Sequence, residues 1–413
     1  MYKKVHFFLQ FSYYFFVIGY MERIYTIICT LCIAILTACA QPKSGYSLKF
    51  DVSQHDFADT IAIEVVEGRV VVPVRIGAEL RRFLLDTGAA QAVVYADTPV
   101  EGSVSAGSIV SHDAVGHRHE VPLVVLPPFT IGQTTFTGCR ATIQQRPRVR
   151  SSFDGIIGFD LVCKGLQMKI DVAARCLVLT DRKKHFAQEQ GYEIKYRVAP
   201  YYHTPYVRVE PFQEFREEAL FDTGSRQLYA ISQQSFERAR REGVKLGKQL
   251  EGTARASYAL GLHGREDSLN VAFLCIDSLA WGGFAFRRLE TKTTQGGSHL
   301  GAGILQYGSV TFLPQKKRLR FQPYTAAKTV EVGNQQVEKV IENREGKPVV
   351  AFVWQGGKAF AAGLREGDVL LKADGHPIFS YSDYARYRYL IGRIYTFTVE
   401  DRRGVRKEVE MTW

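Results

Sequence analysis

The chain runs to 413 residues and 46.6 kDa, which at roughly 100 to 200 residues per domain gives two to four domains and excludes one small domain. Hydrophobic residues at 46% and charged residues at 23% are those of folded, soluble material, so neither disorder along the whole chain nor a polytopic membrane protein fits. Lys and Arg (53) exceed Asp and Glu (42), a formal net charge of +11. That favours acidic surfaces, but no basic stripe with interleaved aromatics marks a nucleic-acid binder.

From Met21 the order is Met-Glu-Arg, an apolar stretch from Ile24 to Leu36, then Thr37, Ala38 and Cys39. A short charged start, a short apolar run and small residues before a cysteine read as a secretory signal rather than a membrane span. The string Leu36-Thr37-Ala38-Cys39 resembles the lipobox of bacterial lipoproteins. The resemblance implies a cut before Cys39, a diacylglyceryl group on its thiol, and an exported protein anchored in a bilayer of the cell envelope, facing the periplasm or in the outer membrane. An ordinary signal peptide or a short anchor helix is the plainer alternative. Residues 1–38 are thus expected as signal peptide, with Met21 a second candidate start, and residues 39–59 as a lipidated linker.

Beyond that segment lie Cys139, Cys163, Cys176 and Cys275. Export permits oxidation, and Cys163 and Cys176 flank a hairpin-like stretch, so a disulfide there and two buried thiols are both open. No Cys-x-x-Cys pair survives processing. His112, His117 and His119 sit in a polar loop without a matching carboxylate pattern, so neither a metal nor another cofactor is expected.

The next stretch is written twice. Phe83-Leu84-Leu85-Asp86-Thr87-Gly88-Ala89 recurs as Ala219-Leu220-Phe221-Asp222-Thr223-Gly224-Ser225. Strand-like alternation precedes each copy, at Val70 to Ile76 and Pro205 to Val209. Downstream, Phe129 to Phe136 matches Leu279 to Phe286, both apolar runs broken by glycine as in a hairpin. Gly155-Ile156-Ile157-Gly158 and Leu300-Gly301-Ala302-Gly303-Ile304-Leu305 then follow in the same order. Short apolar, β-branched and aromatic runs with glycine punctuation dominate residues 60–323, which predicts two all-β lobes, 60–185 and 186–323. After Pro323-Tyr324 a polar stretch leads to a third unit at 328–413.

An aspartate on a tight turn behind an apolar strand is costly unless its charge is solvated or paired. One Asp-Thr-Gly tripeptide turns up by chance in roughly one chain in ten of this size; two copies inside one repeat are far less readily an accident. The glycine lets the backbone approach the opposing copy, and the threonine hydroxyl can donate to the other lobe's backbone. Two lobes related by a pseudo-twofold would then bring Asp86 and Asp222 together, and like charges at hydrogen-bond distance hold one proton between them.

On these motifs, residues from about 60 to 323 resemble the pepsin/retropepsin superfamily of aspartic peptidases. The later apolar-apolar-Gly signals at Ile156-Ile157-Gly158 and Gly303-Ile304-Leu305 add to the match. The resemblance implies a mainly β fold of two acid-protease barrel lobes, a dyad of Asp86 and Asp222 activating a water, and support from Thr87, Gly88, Ala89, Thr223, Gly224 and Ser225. With both halves of the dyad in tandem, one chain should suffice. The family's cleft is covered by a hairpin flap, whose first-lobe candidate is Ser111 to Gly116; the usual flap tyrosine is absent there, and Tyr258 lies in the second copy. The residue after each motif differs: the Ser225 hydroxyl can donate to Asp222 and lower its pKa, whereas Ala89 offers no such bond, so Asp222 should carry the charge and Asp86 the shared proton.

Residues from about 328 to 413 resemble a PDZ domain of the bacterial envelope-protease kind, an α+β unit, through Ala359 to Asp368 and Asp374-Gly375. That implies a peptide groove beside a helix from Ser382 to Ile391, lined by Gly333, Asn334, Val340 and Tyr384, with an added-strand peptide as ligand. The function expected is a lipid-anchored aspartic endopeptidase of the cell envelope acting on peptide or protein chains. The alternative is a peptide-binding lipoprotein that grips chains without cutting them.

Overall fold

The computed structural model describes residues 46–412 apart from 67, 113–117, 147–152, 257–259, 262–263, 266–268, 334–338, 356, 388 and 390–392. The signal segment, Cys39, Asn334, Tyr258 and most of the flap candidate lie outside the described residues. Among the described residues the chain is mainly β, in sheets of 11, 14 and six strands and one two-stranded ribbon.

The valine-rich strand Arg69–Ile76 folds back on Glu79–Leu85, with Val71 opposite Leu84. Gly77, at φ +57°, supplies the left-handed residue that a tight turn between right-twisted strands requires. Pro205–Phe212 folds on Phe215–Asp222 in the same way, with Val207 opposite Ala219. Each aspartate therefore stands at the end of the returning strand of a hairpin. Each hairpin gains a parallel neighbour: Gly155–Ile157 sets Ile157 opposite Leu85, and His299–Gly301 sets Gly301 opposite Asp222. This register makes Leu300-Gly301, not Gly303-Ile304-Leu305, the second-lobe counterpart of Ile157-Gly158. The repeat was readable in order but not in register, because pairing rather than composition decides which glycine meets the motif.

Below the two aspartates the lobes share one antiparallel platform. Each lobe gives it the strand that opens the lobe and the hairpin that closes it. Ala58–Ala62 pairs with Cys176–Thr180 and that strand with Gln167–Asp171; Tyr192–Val198 pairs with Arg318–Pro323 and that strand with Gly308–Leu313. Gln167–Asp171 joins Gly308–Leu313 across the middle, Lys169 opposite Thr311. The inward side of this seam is aromatic, with Phe159, Tyr196, Phe221 and Phe312 in mutual edge contacts and Trp281 stacked on Phe221. One continuous core spans both lobes. Relative motion of the lobes would have to break it.

The folded chain begins before residue 60. Asp51–Val52 pairs with the strand Thr134–Thr137, and Phe50 and Phe57 are buried, so the second half of the expected linker belongs to the first lobe. Likewise Thr329–Gly333 adds parallel to Phe284–Thr294, Gly333 opposite Leu289, and belongs to the second lobe's sheet.

The third unit is built on the strands Lys339–Arg344, Lys347–Val353, Val369–Ala373, Ile394–Glu400 and Arg406–Thr412, with short helices at Lys358–Ala361 and Tyr381–Arg386. Its own core holds Val350, Leu364, Leu370, Phe397 and Val399. The Gly-Asp pair seen in the sequence is structural here: buried Asp368 accepts the Arg365 backbone N–H at 2.9 Å and pairs with Lys407 at 2.9 Å. The unit docks on the second lobe through Phe352, which stacks on Phe273 at 3.9 Å with the rings 5° from parallel.

Candidate active site

Each Asp-Thr-Gly turn leaves its strand where the parallel neighbour crosses behind it. A β-carbon on Gly158 would lie 2.6 Å from the Gln91 carbonyl carbon, and one on Gly301 would lie 2.7 Å from the Ser225 carbonyl oxygen. Only glycine lets the crossing chain pass so close. The two turns face each other across the lobe boundary, and their fully buried threonines hold them together. The Thr87 N–H donates to Thr223 Oγ1 at 3.0 Å and the Thr223 N–H donates to Thr87 Oγ1 at 3.1 Å. Both hydroxyls then donate onward into the opposite lobe, Thr87 to the Phe221 carbonyl at 2.5 Å and Thr223 to the Leu85 carbonyl at 2.7 Å. Three polar groups on each side are thus satisfied reciprocally by four hydrogen bonds, which is what a buried network needs to be rigid rather than costly.

This brings Asp86 and Asp222 into hydrogen-bond contact. Asp222 is buried and Asp86 half-buried. Burial first, then the charge of Asp222 and the bond Asp86 donates to it, push Asp86 well above the ordinary carboxylate range. Burial raises Asp222 as well, but the bond from Asp86, the backbone N–H groups of Gly224 and Ser225, and the Arg69 guanidinium all pull it back. Both carboxylates are thus pushed above their ordinary range, Asp86 further than Asp222, as expected of two like charges in hydrogen-bond contact that share a proton as a pair.

The cause of that asymmetry differs from the one expected. Ser225 reaches Asp222 through its backbone N–H, 3.2 Å from Oδ1. Among the described residues its hydroxyl makes no hydrogen bond to the carboxylate. Ala89 packs its methyl into the small cluster of Leu84, Val93, Tyr95, Phe153 and Ile156. On the Asp222 side the bond from Asp86 and the Gly224 and Ser225 N–H groups pull hardest, and Arg69, a residue the sequence did not single out, adds the smallest pull. Arg69 opens the strand antiparallel to Glu79–Leu85, two positions before Val71, which faces Leu84; continuing the register brings it beside Asp86. Its guanidinium sits 5.2 Å from the Phe153 ring centroid.

The crystal structure of aspartic proteinase from Irpex lacteus matches over 66% of this chain and 99% of its own length, with 14% identity and a TM-score of 0.41. No family model and no curated protein matches the chain.

Other residues expected to act fall in several places. Ser111 and His112 end the strand Val104–His112, which pairs with Arg118–Val125 as a long hairpin at the first lobe's edge; the rest of the flap candidate lies outside the described residues. Cys163 and Cys176 are both free thiols. Cys163 points at the His203 carbonyl oxygen, 3.8 Å away, while Cys176 lies on a platform strand, so the open choice falls to unbridged thiols.

The expected peptide groove of the third unit is not assembled as drawn. Val340 is buried with Val271, Phe273, Ala351, Phe352 and Trp354 at the contact with the second lobe. Tyr384 packs on the opposite side, against the unit's own core. Val340 and Ile341 are successive residues of one strand and so face opposite sides, Ile341 the inward one; the register shift falls on the partner strand, where Ala351 and Phe352 both face the contact. Gly333 is spent in the second lobe's sheet. The helix expected from Ser382 to Ile391 runs Tyr381–Arg386, capped by the Ser380 side chain, which accepts the Asp383 N–H at 3.2 Å.

Tyr206 is a further residue that sequence reading passed over. It stands opposite Leu220 on the strand next to Asp222, with the Arg197 guanidinium 4.8 Å from its ring centroid. Burial raises its hydroxyl pKa, Arg197 pulls it down, and Tyr202, Glu218 and Asp222 add to the rise. An aromatic in a strand pattern reads as core, so only its neighbours mark it as facing the site.

Proposed function

We propose that the chain is an aspartic endopeptidase of the bacterial cell envelope, anchored through an acylated Cys39. The observation that carries this reading is the meeting of Asp86 and Asp222 on two Asp-Thr-Gly turns locked by reciprocal threonine bonds. A peptide laid across the pair would place its carbonyl by Asp86 and a water by Asp222. Asp222 takes the water's proton as the oxygen attacks, and Asp86 gives its proton to the carbonyl oxygen, leaving a tetrahedral gem-diol. Asp222 then gives its proton to the leaving nitrogen while a gem-diol hydroxyl returns a proton to Asp86, so the C–N bond breaks into a carboxylic acid and an amine and the dyad is restored. Both aspartates lie on one chain, so the reading needs no dimer. The third unit, read as a PDZ-like module, would hold long substrates near the cleft and raise their effective concentration.

The test is hydrolysis of a denatured protein by the full chain in detergent, compared with Asp86→Ala, between about pH 3 and pH 8. Cleavage by wild type and none by the variant is expected. No cleavage by either across that range would leave a protein that grips chains without cutting them.

A further inference from the structure

The platform shared by the two lobes has one end from which several turns project. Thr180 stands opposite both Gln167 and Ala58, Met168 opposite Phe312, and Lys195 opposite Arg318. The stretches just beyond these pairs therefore leave the platform together: those before Ala58 and Gln167, that after Thr180, the turn 314–317 and the loop 199–204. Hydrogen bonds tie them into one surface. Gln167 Nε2 donates to the Arg182 carbonyl at 2.6 Å, Gln315 Nε2 to the Gly165 carbonyl at 2.8 Å, and Cys163 Sγ to the His203 carbonyl at 3.8 Å.

The charge at this end is of one sign. Lys183, Lys184, Lys316 and Lys317 stand exposed on its turns, and Lys49 is exposed on the segment that leads into it. The carboxylates among them are spent within the protein: Asp56 pairs with Arg182 at 3.1 Å, and Asp181 accepts the Asp56 and Phe57 N–H groups at 2.8 and 2.9 Å. Tyr201, 79% exposed, projects from the 199–204 loop, which is tight: the Ala199 N–H donates to the Thr204 carbonyl at 3.0 Å and the His203 N–H to the Ala199 carbonyl at 2.8 Å. The chain also enters the fold here. Tyr46 stacks on the His203 ring, with centroids 3.6 Å apart and planes 7° from parallel, and Lys164 Nζ donates to the Leu48 carbonyl at 3.0 Å. Seven residues separate Cys39 from Tyr46, and an extended chain of that length spans at most about 25 Å.

We propose that this end of the platform is a docking surface for an anionic phospholipid bilayer, with the Tyr201 ring among the headgroups and the lysines over lipid phosphates. The inference rests on the acylated Cys39 of the proposed function and not on hydrolysis. A lysine held near an anionic bilayer strengthens binding by roughly fivefold, and tyrosine, an apolar ring with a polar tip, settles at headgroup level. An acyl anchor limits distance without fixing orientation; a basic patch is a second signal beside it, and here it decides which side of the protein faces the lipid. An acidic protein would meet the same lysines, but the tether brings the bilayer, not a protein, within about 25 Å of this end.

The test uses the full chain reconstituted through its own anchor into phosphatidylcholine vesicles containing about a third phosphatidylglycerol. In Tyr201→Trp, tryptophan emission should fall at least about twofold when the lipid chains carry bromine close to the headgroups. Val405→Trp, at an exposed site of the third unit, should stay unquenched, and buried Trp281 and Trp354 give every variant the same background and report its folding. Quenching of Tyr201→Trp should be lost in pure phosphatidylcholine, in about 1 M salt, and when Lys183→Glu and Lys316→Glu are added. A protein that floats with the vesicles yet shows no quenching in Tyr201→Trp, or equal quenching in Val405→Trp, overturns the docking surface and leaves the anchor standing. Quenching that survives both lysine changes overturns the part given to charge. Wild type that fails to float with the vesicles overturns the anchor itself, and the docking surface with it.

Discussion

Gly88 and Gly224 each present a bare α-carbon to the aspartate of the opposite lobe. A β-carbon on Gly88 would lie 2.7 Å from Asp222 Cγ, and one on Gly224 would lie 2.5 Å from Asp86 Cγ. The carboxylates can meet only because neither turn carries a side chain. Gly224→Ala should therefore push Asp86 out of the pair and lower kcat by at least about a hundredfold. Gly297→Ala is the control, since nothing lies within 4 Å of its added β-carbon and its φ is not positive. Near-normal kcat in Gly224→Ala would contradict the geometry.

The proton-bearing asymmetry gives a pH test. Ser225 bonds Asp222 through its backbone, so Ser225→Ala should leave the acid limb of the kcat/KM profile in place. Arg69→Gln removes a cation that favours the ionised Asp222, so the limb should move to higher pH. Movement in Ser225→Ala with none in Arg69→Gln would return the role to the serine hydroxyl.

Asp160 ties stability to pH. It is 4% exposed at the start of the helix Asp160–Cys163, and burial raises it to about 7 against the pull of its own and the Leu161 N–H groups. Below the ordinary carboxylate range it is protonated folded or unfolded, and its contribution is fully present. As pH rises toward 7 only the unfolded chain ionises freely, so stability is lost through that window, on the order of 3 kcal/mol. Asp160→Asn should flatten the dependence of urea-unfolding free energy on pH from 4 to 8. An unchanged slope would show that Asp160 is not the group responsible.

Phe352 carries the docking of the third unit, stacked on Phe273 and set against Gly252, whose added β-carbon would lie 3.3 Å from its ring. Phe352→Ala should cost about 3–5 kcal/mol and, by freeing the unit, let limited proteolysis release the third unit while the dyad lobes stay resistant. Deletion should start after Gly333: starting at residue 328 also strips Thr329–Gly333 from the second lobe's sheet and should lower Tm further. Equal Tm for the two deletions would deny that strand a role.

Attachment through Cys39 predicts that Cys39→Ser moves the protein out of the detergent phase on temperature-induced partition, because an acylated cysteine with more than one chain anchors stably. Partition equal to wild type would remove the lipid anchor from the proposed function.

Read alone, the chain showed its two Asp-Thr-Gly turns, their apolar strands and the separate third unit, because these are short-range patterns: period-two alternation, glycine where the backbone must turn, and a tripeptide that repeats. It could not show that Leu300-Gly301 is the true counterpart of Ile157-Gly158, that Arg69 lies by the dyad, or that Phe352 stacks on Phe273. Those depend on strand register and on which residues distant in sequence share a face, and one extra residue, as Ala351 opposite Val340 and Ile341, moves the residues beyond it to the other face of the sheet. The chemistry of the candidate site was therefore legible in its residue types. Where its charge and its proton sit was decided by the packing of one lobe on the other, since burial and cross-lobe hydrogen bonds exist only once the chain is folded.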